Sequence, residues 1–172
     1  NEINVRESED WKTFSSAYLD ESFLIGYLMP EEYFYFIGEL RNVKEKEVNE
    51  FLKQFEDLFN GEILGGKKYI RDLSKGNQKK VGIVAALIGS PSVIILDEPF
   101  ANLDPTTQIR LKKIIKKLST YNRVTVLISS HDLQDVTEVS ERIVLLEKGK
   151  IVKDIKTSKK TLKELESYFN KE

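Results

Sequence analysis

The chain has 172 residues, a formal net charge of −1, 40% hydrophobic and 32% charged residues, and no cysteine. That length suits one domain, or a domain with a small subdomain, and the composition is that of a globular chain with a core. The near-neutral charge argues against a domain devoted to nucleic acid, and the lack of cysteine excludes a disulfide framework, a thiol nucleophile and a thiolate metal site.

The opening NEINVRESEDWKTF has no initiator Met and reads as a pattern already under way, so a piece of a longer chain is expected. No secretory signal opens it and no apolar run approaches the roughly 18 residues of a membrane span, so the cytoplasm is the expected compartment. Ile3 to Arg6 reads as a short strand and Tyr18 to Ile25 as loop. From Pro30 a helix is expected, with Tyr33, Phe36, Ile37 and Leu40 as its apolar stripe and Glu31 and Glu32 in its first turn. A second helix carries Val48, Phe51, Leu52, Phe55, Leu58 and Phe59 on one face and ends at Asn60-Gly61. Residues 30–72 therefore read as a helical subdomain whose aromatics pack a core.

After Leu73 comes a third helix, and its stretch VGIVAALIG is apolar on all sides, which predicts deep burial. Ser90-Pro91-Ser92 breaks it. The run Val93–Leu96 then reads as a parallel strand covered on both faces. A helix follows over Thr106–Leu118, with Leu111, Ile114, Ile115 and Leu118 inward, then a second buried strand at Val124–Ser129 and a short helix near Leu133–Val139. Strands Ile143–Leu146 and Ile151–Ile155 flank a hairpin turn, and a last helix, Thr161–Phe169, turns Leu162, Leu165 and Phe169 inward. This alternation predicts an α/β fold with a mostly parallel sheet flanked by helices. The lysine pairs Lys79-Lys80, Lys112-Lys113, Lys116-Lys117 and Lys159-Lys160 read as solvated faces.

Ligands of open α/β sheets bind beyond the carboxyl ends of the strands. One buried strand here ends in Asp97-Glu98-Pro99, and the other in Ser129-Ser130-His131-Asp132. If the two strands are neighbours, both polar groups face one crevice. Consecutive carboxylates diverge, so one can hold a hard cation while the other orients or deprotonates a water molecule. The lone histidine, His131, can hydrogen-bond a phosphate oxygen and fix the attacking water.

At this point the chain resembles the ATP-binding cassettes of ABC transporters. VIILDEP resembles their Walker B strand with the glutamate that follows it, Ala101 to Pro105 (ANLDP) their D-loop, and SSHD their histidine switch. LSKGNQKK, Leu73 to Lys80, resembles the signature LSGGQ, and AYLDE, Ala17 to Glu21, stands where the family has its Q-loop. Each motif alone is weak, but five in the right order are specific. The resemblance covers about Ser15 to Gly149 and implies a P-loop-NTPase-type sheet with an α-helical subdomain.

Site roles follow from the resemblance. It implies that Asp97 helps to bind Mg²⁺, together with Glu21, that Glu98 is the general base or water-positioning group, and that His131 contacts the γ-phosphate. Ser74, Gly76 and Asn77 would meet ATP held by a partner cassette, at a helix N-terminus that favours an anion. Asp104 would act at that dimer interface. ATP and Mg are the implied cofactors. The implied partners are a second cassette and a transmembrane permease docked in the groove of the helical subdomain, with no nucleic acid. The implied location is the cytoplasmic face of the inner membrane.

The implied organisation is 1–29 as the end of the core's N-terminal part with the Q-loop, and 30–72 as the helical subdomain. Residues 73–156 are the core with signature, Walker B, D-loop and H-loop, and 157–172 the C-terminal helix.

Departures from the pattern are few. Lys75 replaces the first signature glycine, Asn77 stands in place of glutamine, and Gln78 comes one position late. Gly76 is kept. Glu21 replaces the Q-loop glutamine, and such variants resemble those of exporters with separate membrane subunits. No string in the chain matches the phosphate-cradling G-x-x-x-x-G-K-[ST]; Gly65-Gly66-Lys67-Lys68 reads as plain loop. The expectation is that this loop lies upstream, that INVRE is the strand between it and the Q-loop, and that the fragment is inactive alone. The alternative is a naturally short, non-hydrolysing cassette that serves as a regulatory or binding partner.

Overall fold

The stretch from Gln78 to Ile88 is buried at every residue, as the apolar character of Val81–Ile88 requires for that part of it. The elements around it are set out by a computed structural model that describes residues 4–122 and 124–170. The chain divides into two units, Asn1–Ser129 and Ser130–Glu172.

The first unit opens with helix α1 (Trp11–Phe14), strand β1 (Ser15–Tyr18) and a 3-10 turn at Glu21–Phe23. Helices α2 (Pro30–Leu40), α3 (Glu45–Leu52) and α4 (Glu56–Phe59) follow, then α5 (Lys75–Leu87), β2 (Val93–Asp97), α6 (Pro105–Tyr121) and β3 (Thr125–Ser129). The strand expected at Ile3–Arg6 is not formed. Ile3 lies outside the described residues, and residues 5–7 are a turn in which the Asn4 side chain accepts from the Arg6 amide at 3.1 Å. The strand that leads into residues 19–28 is β1 instead.

Helix α2 starts at Pro30, whose fixed φ suits a first helical position, and Glu32 reaches back to the Met29 amide at 2.8 Å. Its buried face is Pro30, Tyr33, Phe34 and Gly38, which displaces the expected stripe. Phe36 and Leu40 stay 39% and 64% exposed. Gly38 is the reason: a Cβ there would stand 2.6 Å from Val48 Cγ2, so α3 seats against the Phe34–Gly38 edge. The second expected helix is broken by a 3-10 turn at Lys53–Phe55, which lets Phe55 and Phe59 both turn inward. Phe34 stacks on Phe59 with ring centroids 5.9 Å apart. The segment ends at Asn60 in the left-handed conformation (φ 53°), followed by Gly61, where the sequence places a helix stop.

Strands β1, β2 and β3 form a parallel sheet in that order, with β2 central. The register pairs Tyr18 with Leu96 and Asp97 with Ser129. Helix α5 packs on β1 and β2. Ile94 and Leu96 point to the covered face at 1% exposure, each contributing about 1.5–3 kcal/mol by burial. The other face departs from two-sided burial: Ile95 is 37% and Leu127 61% exposed, and they pair across the strands.

Three of the lysines expected on solvated faces are buried: Lys79 at 5%, Lys80 at 6% and Lys112 at 8% exposure. Lys113, Lys116, Lys117, Lys159 and Lys160 are exposed as expected.

The second unit contains α7 (Leu133–Val139), β4 (Arg142–Glu147), β5 (Lys150–Lys156) and α8 (Thr161–Phe169). β4 and β5 are an antiparallel hairpin, so they form a sheet of their own rather than extending the parallel one. Lys148 and Gly149 both take positive φ, as a tight two-residue hairpin turn needs. Arg142 clasps Asp154 across the pair, with Nε donating at 2.7 Å and Nη2 at 2.5 Å. In α8, Thr161 and Leu165 are buried, while Phe169 is 47% exposed rather than inward.

Candidate functional site

The apolar residues of β2 carry the chain to Asp97 at the carboxyl edge of the sheet, and the register sets Ser129, the last residue of β3, beside it. Ser129 Oγ donates to Asp97 Oδ1 and accepts from the Glu98 amide at 3.3 Å, while the Ser129 carbonyl accepts from the same amide at 3.1 Å. One serine thus orients Asp97 and anchors the backbone of Glu98. Its place at a strand end was visible in the sequence, but its bond to Asp97 depends on the register.

Glu98 takes φ 44°, a left-handed conformation that costs a residue with a Cβ about 1–3 kcal/mol and is held by its surroundings. Its amide is fixed by Ser129. Its carbonyl accepts from Lys79 Nζ at 2.8 Å, and the same ammonium donates to the Ala101 carbonyl at 2.9 Å. Pro99 and Phe100 are buried beneath this turn. Asp97 is exposed and Glu98 half-buried.

The N-terminus of α5 and the turn after Phe100 lie together. Ser74 caps α5 by accepting from the Asn77 amide at 3.2 Å. A Cβ at Gly76 would stand 3.5 Å from the Asn102 carbonyl oxygen and 3.6 Å from Leu103 Cδ2, so the helix start touches that turn directly. Asn102 has φ 62°. Gln78 is buried and donates to the Arg71 and Leu73 carbonyls at 3.2 and 3.0 Å, which ties the 3-10 turn at Ile70–Asp72 to the start of α5. Asn77 hydrogen-bonds Glu62, and with Asn60 and Lys80 it holds that carboxyl below its ordinary range.

Asp104 caps α6, accepting from the Thr107 amide at 3.0 Å and its hydroxyl at 2.5 Å. Those two bonds, the hydroxyl's first, hold its carboxyl below the usual carboxylate range.

Glu21 sits in the 3-10 turn after β1. Its Oε1 accepts from Tyr18 Oη at 2.6 Å and lies 3.8 Å from Lys79 Nζ. Burial, followed by the Glu21 carboxylate, pushes the Tyr18 phenol well above its ordinary value. Asp97, Glu98, Ser74, Gly76, Asn77, Asp104 and Glu21 all belong to the first unit. His131 belongs to the second, where it is exposed just ahead of α7, whose cap is Asp132, accepting from Gln134 and Asp135 amides at 2.8 and 3.0 Å.

Among the described residues, no group of three or more His, Cys, Asp or Glu side chains is placed to hold a metal ion. Magnesium commonly binds through one or two carboxylates and completes its shell with water and substrate phosphates. Asp97, exposed and with one oxygen oriented by Ser129, fits such a role. No helix of the described residues is long and apolar enough to cross a membrane.

The carboxylates Asp97 and Glu98 thus stand at the carboxyl end of the central strand of a parallel sheet, in an α/β core. Residues 12–134 match the family model described as "AAA domain, putative AbiEii toxin, Type IV TA system". The chain is 34% identical over 149 residues to the uncharacterized ABC transporter ATP-binding protein MJ1023 of Methanocaldococcus jannaschii, covering 80% of this chain and 55% of that one. It is also 34% identical to the uncharacterized ABC transporter ATP-binding protein YhaQ of Bacillus subtilis, covering 86% of this chain and 50% of that one. The dimeric ATP-binding cassette MJ0796 in a post-hydrolysis state, bound to ADP and Pi, superposes with TM-score 0.74 at 25% identity, over 92% of this chain and 72% of that one. The chain belongs to the ATP-binding cassette family of P-loop NTPases, in the branch of ABC transporter cassettes. It spans about half the length of these two curated relatives.

Proposed function

We propose that this chain is the larger part of an ATP-hydrolysing cassette that drives a membrane transporter, an exporter, through ATP-dependent pairing of two cassettes. The observation that carries this reading is the Asp97–Glu98 turn, in which Ser129 orients one carboxylate and a left-handed backbone carries the other. Asp97 would hold Mg²⁺, with Glu21 as a second candidate ligand. Glu98 receives the proton of the water that attacks the γ-phosphate in line; in the second unit, His131 is the residue that the family resemblance names for a phosphate contact. When bound, magnesium neutralises charge on the phosphate oxygens. The chain's own part is positioning and electrostatics.

Ser74, Gly76 and Asn77 present the N-terminus of α5 to ATP held by the partner cassette, and Asp104 contributes at the same interface. The pairing is supported by the dimeric state of the MJ0796 cassette. The permease docks in the groove near Glu21 to Tyr35, where Phe23 and Tyr27 are 70% and 72% exposed. Residues 30–72 serve as the helical subdomain, and the assembly sits at the cytoplasmic face of the inner membrane. These 172 residues contain no G-x-x-x-x-G-K-[ST] string, so alone they hydrolyse ATP negligibly. The same absence favours a second reading, a non-hydrolysing cassette that lends its signature face to a complete partner.

The deciding experiment uses the full-length protein with its membrane partner. Glu98→Gln is expected to reduce ATP turnover by roughly 100-fold or more while nucleotide binding and pairing persist. Turnover unchanged in that variant removes Glu98 from the mechanism, and absence of turnover in the unaltered assembly supports the second reading.

A further inference from the structure

Lys79 was read from the sequence as a solvated lysine, and the fold buries it. A buried ammonium is costly unless its three donors and its charge are matched. Here they are matched by groups from two different segments. The Glu98 and Ala101 carbonyls accept at 2.8 and 2.9 Å, and Glu21 Oε1 stands at 3.8 Å as the counter-charge. The side chains of this pair are 6% and 16% exposed. The same Glu21 oxygen accepts from the Tyr18 hydroxyl at 2.6 Å. The Tyr18 ring in turn lies on Gly82, one turn along α5 from Lys79.

We propose that Lys79 is a positioning residue: its ammonium holds the Glu98–Ala101 turn in the geometry that aims Glu98, and its charge is matched to Glu21, so that the two residues work as a pair. This rests on the reading of Glu98 as the water-side carboxylate. The physical reason is the left-handed backbone at Glu98. A non-glycine residue leaves that conformation unless it is held, and two of its holds are the Ser129 bonds and the Lys79 bond to its carbonyl. Only a donor can hold that carbonyl together with the carbonyl of Ala101, and only a cation balances a carboxylate with little access to water. Movement of the Tyr18–Glu21 segment therefore reaches Glu98 through a single side chain.

A double-mutant cycle in the full-length protein with its membrane partner tests this, using Lys79→Gln, Glu21→Gln and the double variant. Each is read by kcat and KM for Mg-ATP and by amide hydrogen exchange over Glu98–Ala101. Lys79→Gln is expected to lower kcat by roughly 10- to 100-fold, with a much smaller change in KM, and to speed exchange at those amides. Glu21→Gln leaves the buried ammonium without its counter-charge, and is expected to lower kcat and speed the same exchange. The double variant is expected to lose less than the product of the single losses.

A melting temperature that falls while kcat and exchange over Glu98–Ala101 stay at wild-type values overturns the proposal, as does a double variant whose loss equals the product of the single losses. If Lys79→Gln fails to fold, Glu21→Gln decides alone: unchanged exchange at Glu98–Ala101 overturns the pairing. If the unaltered assembly shows no turnover, the ATPase reading fails, and the exchange measurements still judge whether Lys79 and Glu21 hold the turn.

Discussion

Gly82 of α5 lies directly beneath the ring of Tyr18: a Cβ at position 82 would come within 2.5 Å of both Cδ2 and Cε2. The side chain that could yield is itself 3% exposed and tied to Glu21, so it has little room to move. Gly82→Ala is therefore an overpacking substitution despite the better helix propensity of alanine. We expect it to destabilise the full-length protein by about 1–3 kcal/mol in urea unfolding. A neutral or stabilising result would mean that Tyr18 finds another seat.

The Tyr18 phenol gives the fold a dependence on alkaline pH. Its folded value is raised by burial and by the Glu21 carboxylate, so the folded state keeps the proton after the unfolded chain has released it. The contribution is complete below the ordinary tyrosine value of about 10 and is lost as pH rises beyond it. Stability measured from pH 8 upward is expected to fall more steeply above that point in the wild type than in Tyr18→Phe. Parallel curves would show that Tyr18 does not titrate late. At neutral pH, Tyr18→Phe removes the 2.6 Å bond to Glu21 and is expected to cost about 1–3 kcal/mol.

Ser129→Ala separates orientation of Asp97 from its charge. The carboxylate remains, but the hydroxyl that donates to Oδ1 and accepts from the Glu98 amide is gone. By analogy with groups that orient metal ligands, we expect roughly 10-fold or greater loss of turnover or of magnesium affinity in the full-length assembly. The test is turnover against magnesium concentration. A curve that superposes on the wild type would show that the strand register alone places Asp97.

Much of the element order was legible because it depends on local rules. The helix stop at Asn60-Gly61, the buried stretch Val81–Ile88, the hairpin turn at Lys148-Gly149 and the placement of Asp97 at a strand end each follow from residues within a few positions of one another. The misreadings share a different cause. Phe36 and Leu40 complete a regular stripe, but the stripe that is buried was decided by how closely Gly38 admits Val48. The run VIIL has the composition of a strand covered on both faces, and α5 covers one, leaving Ile95 and Leu127 exposed.

Lys79 and Ser129 show the limit most directly. Periodicity pointed to the α/β class, and the order of the motifs along the chain to the family resemblance, which implies the candidates Asp97, Glu98, Ser74, Gly76, Asn77, Asp104, Glu21 and His131. Spacing along the chain carries that information because side-chain direction repeats with the backbone. Which donor meets which carboxylate is set by strand register and helix packing between segments far apart in sequence: Asp97 with Ser129, and Glu21 with Lys79. A lysine beside a solvent-facing neighbour and a lysine beneath a turn look alike in sequence. Only the tertiary structure separates them, because the free energy of a buried charge depends on partners that the local sequence does not contain.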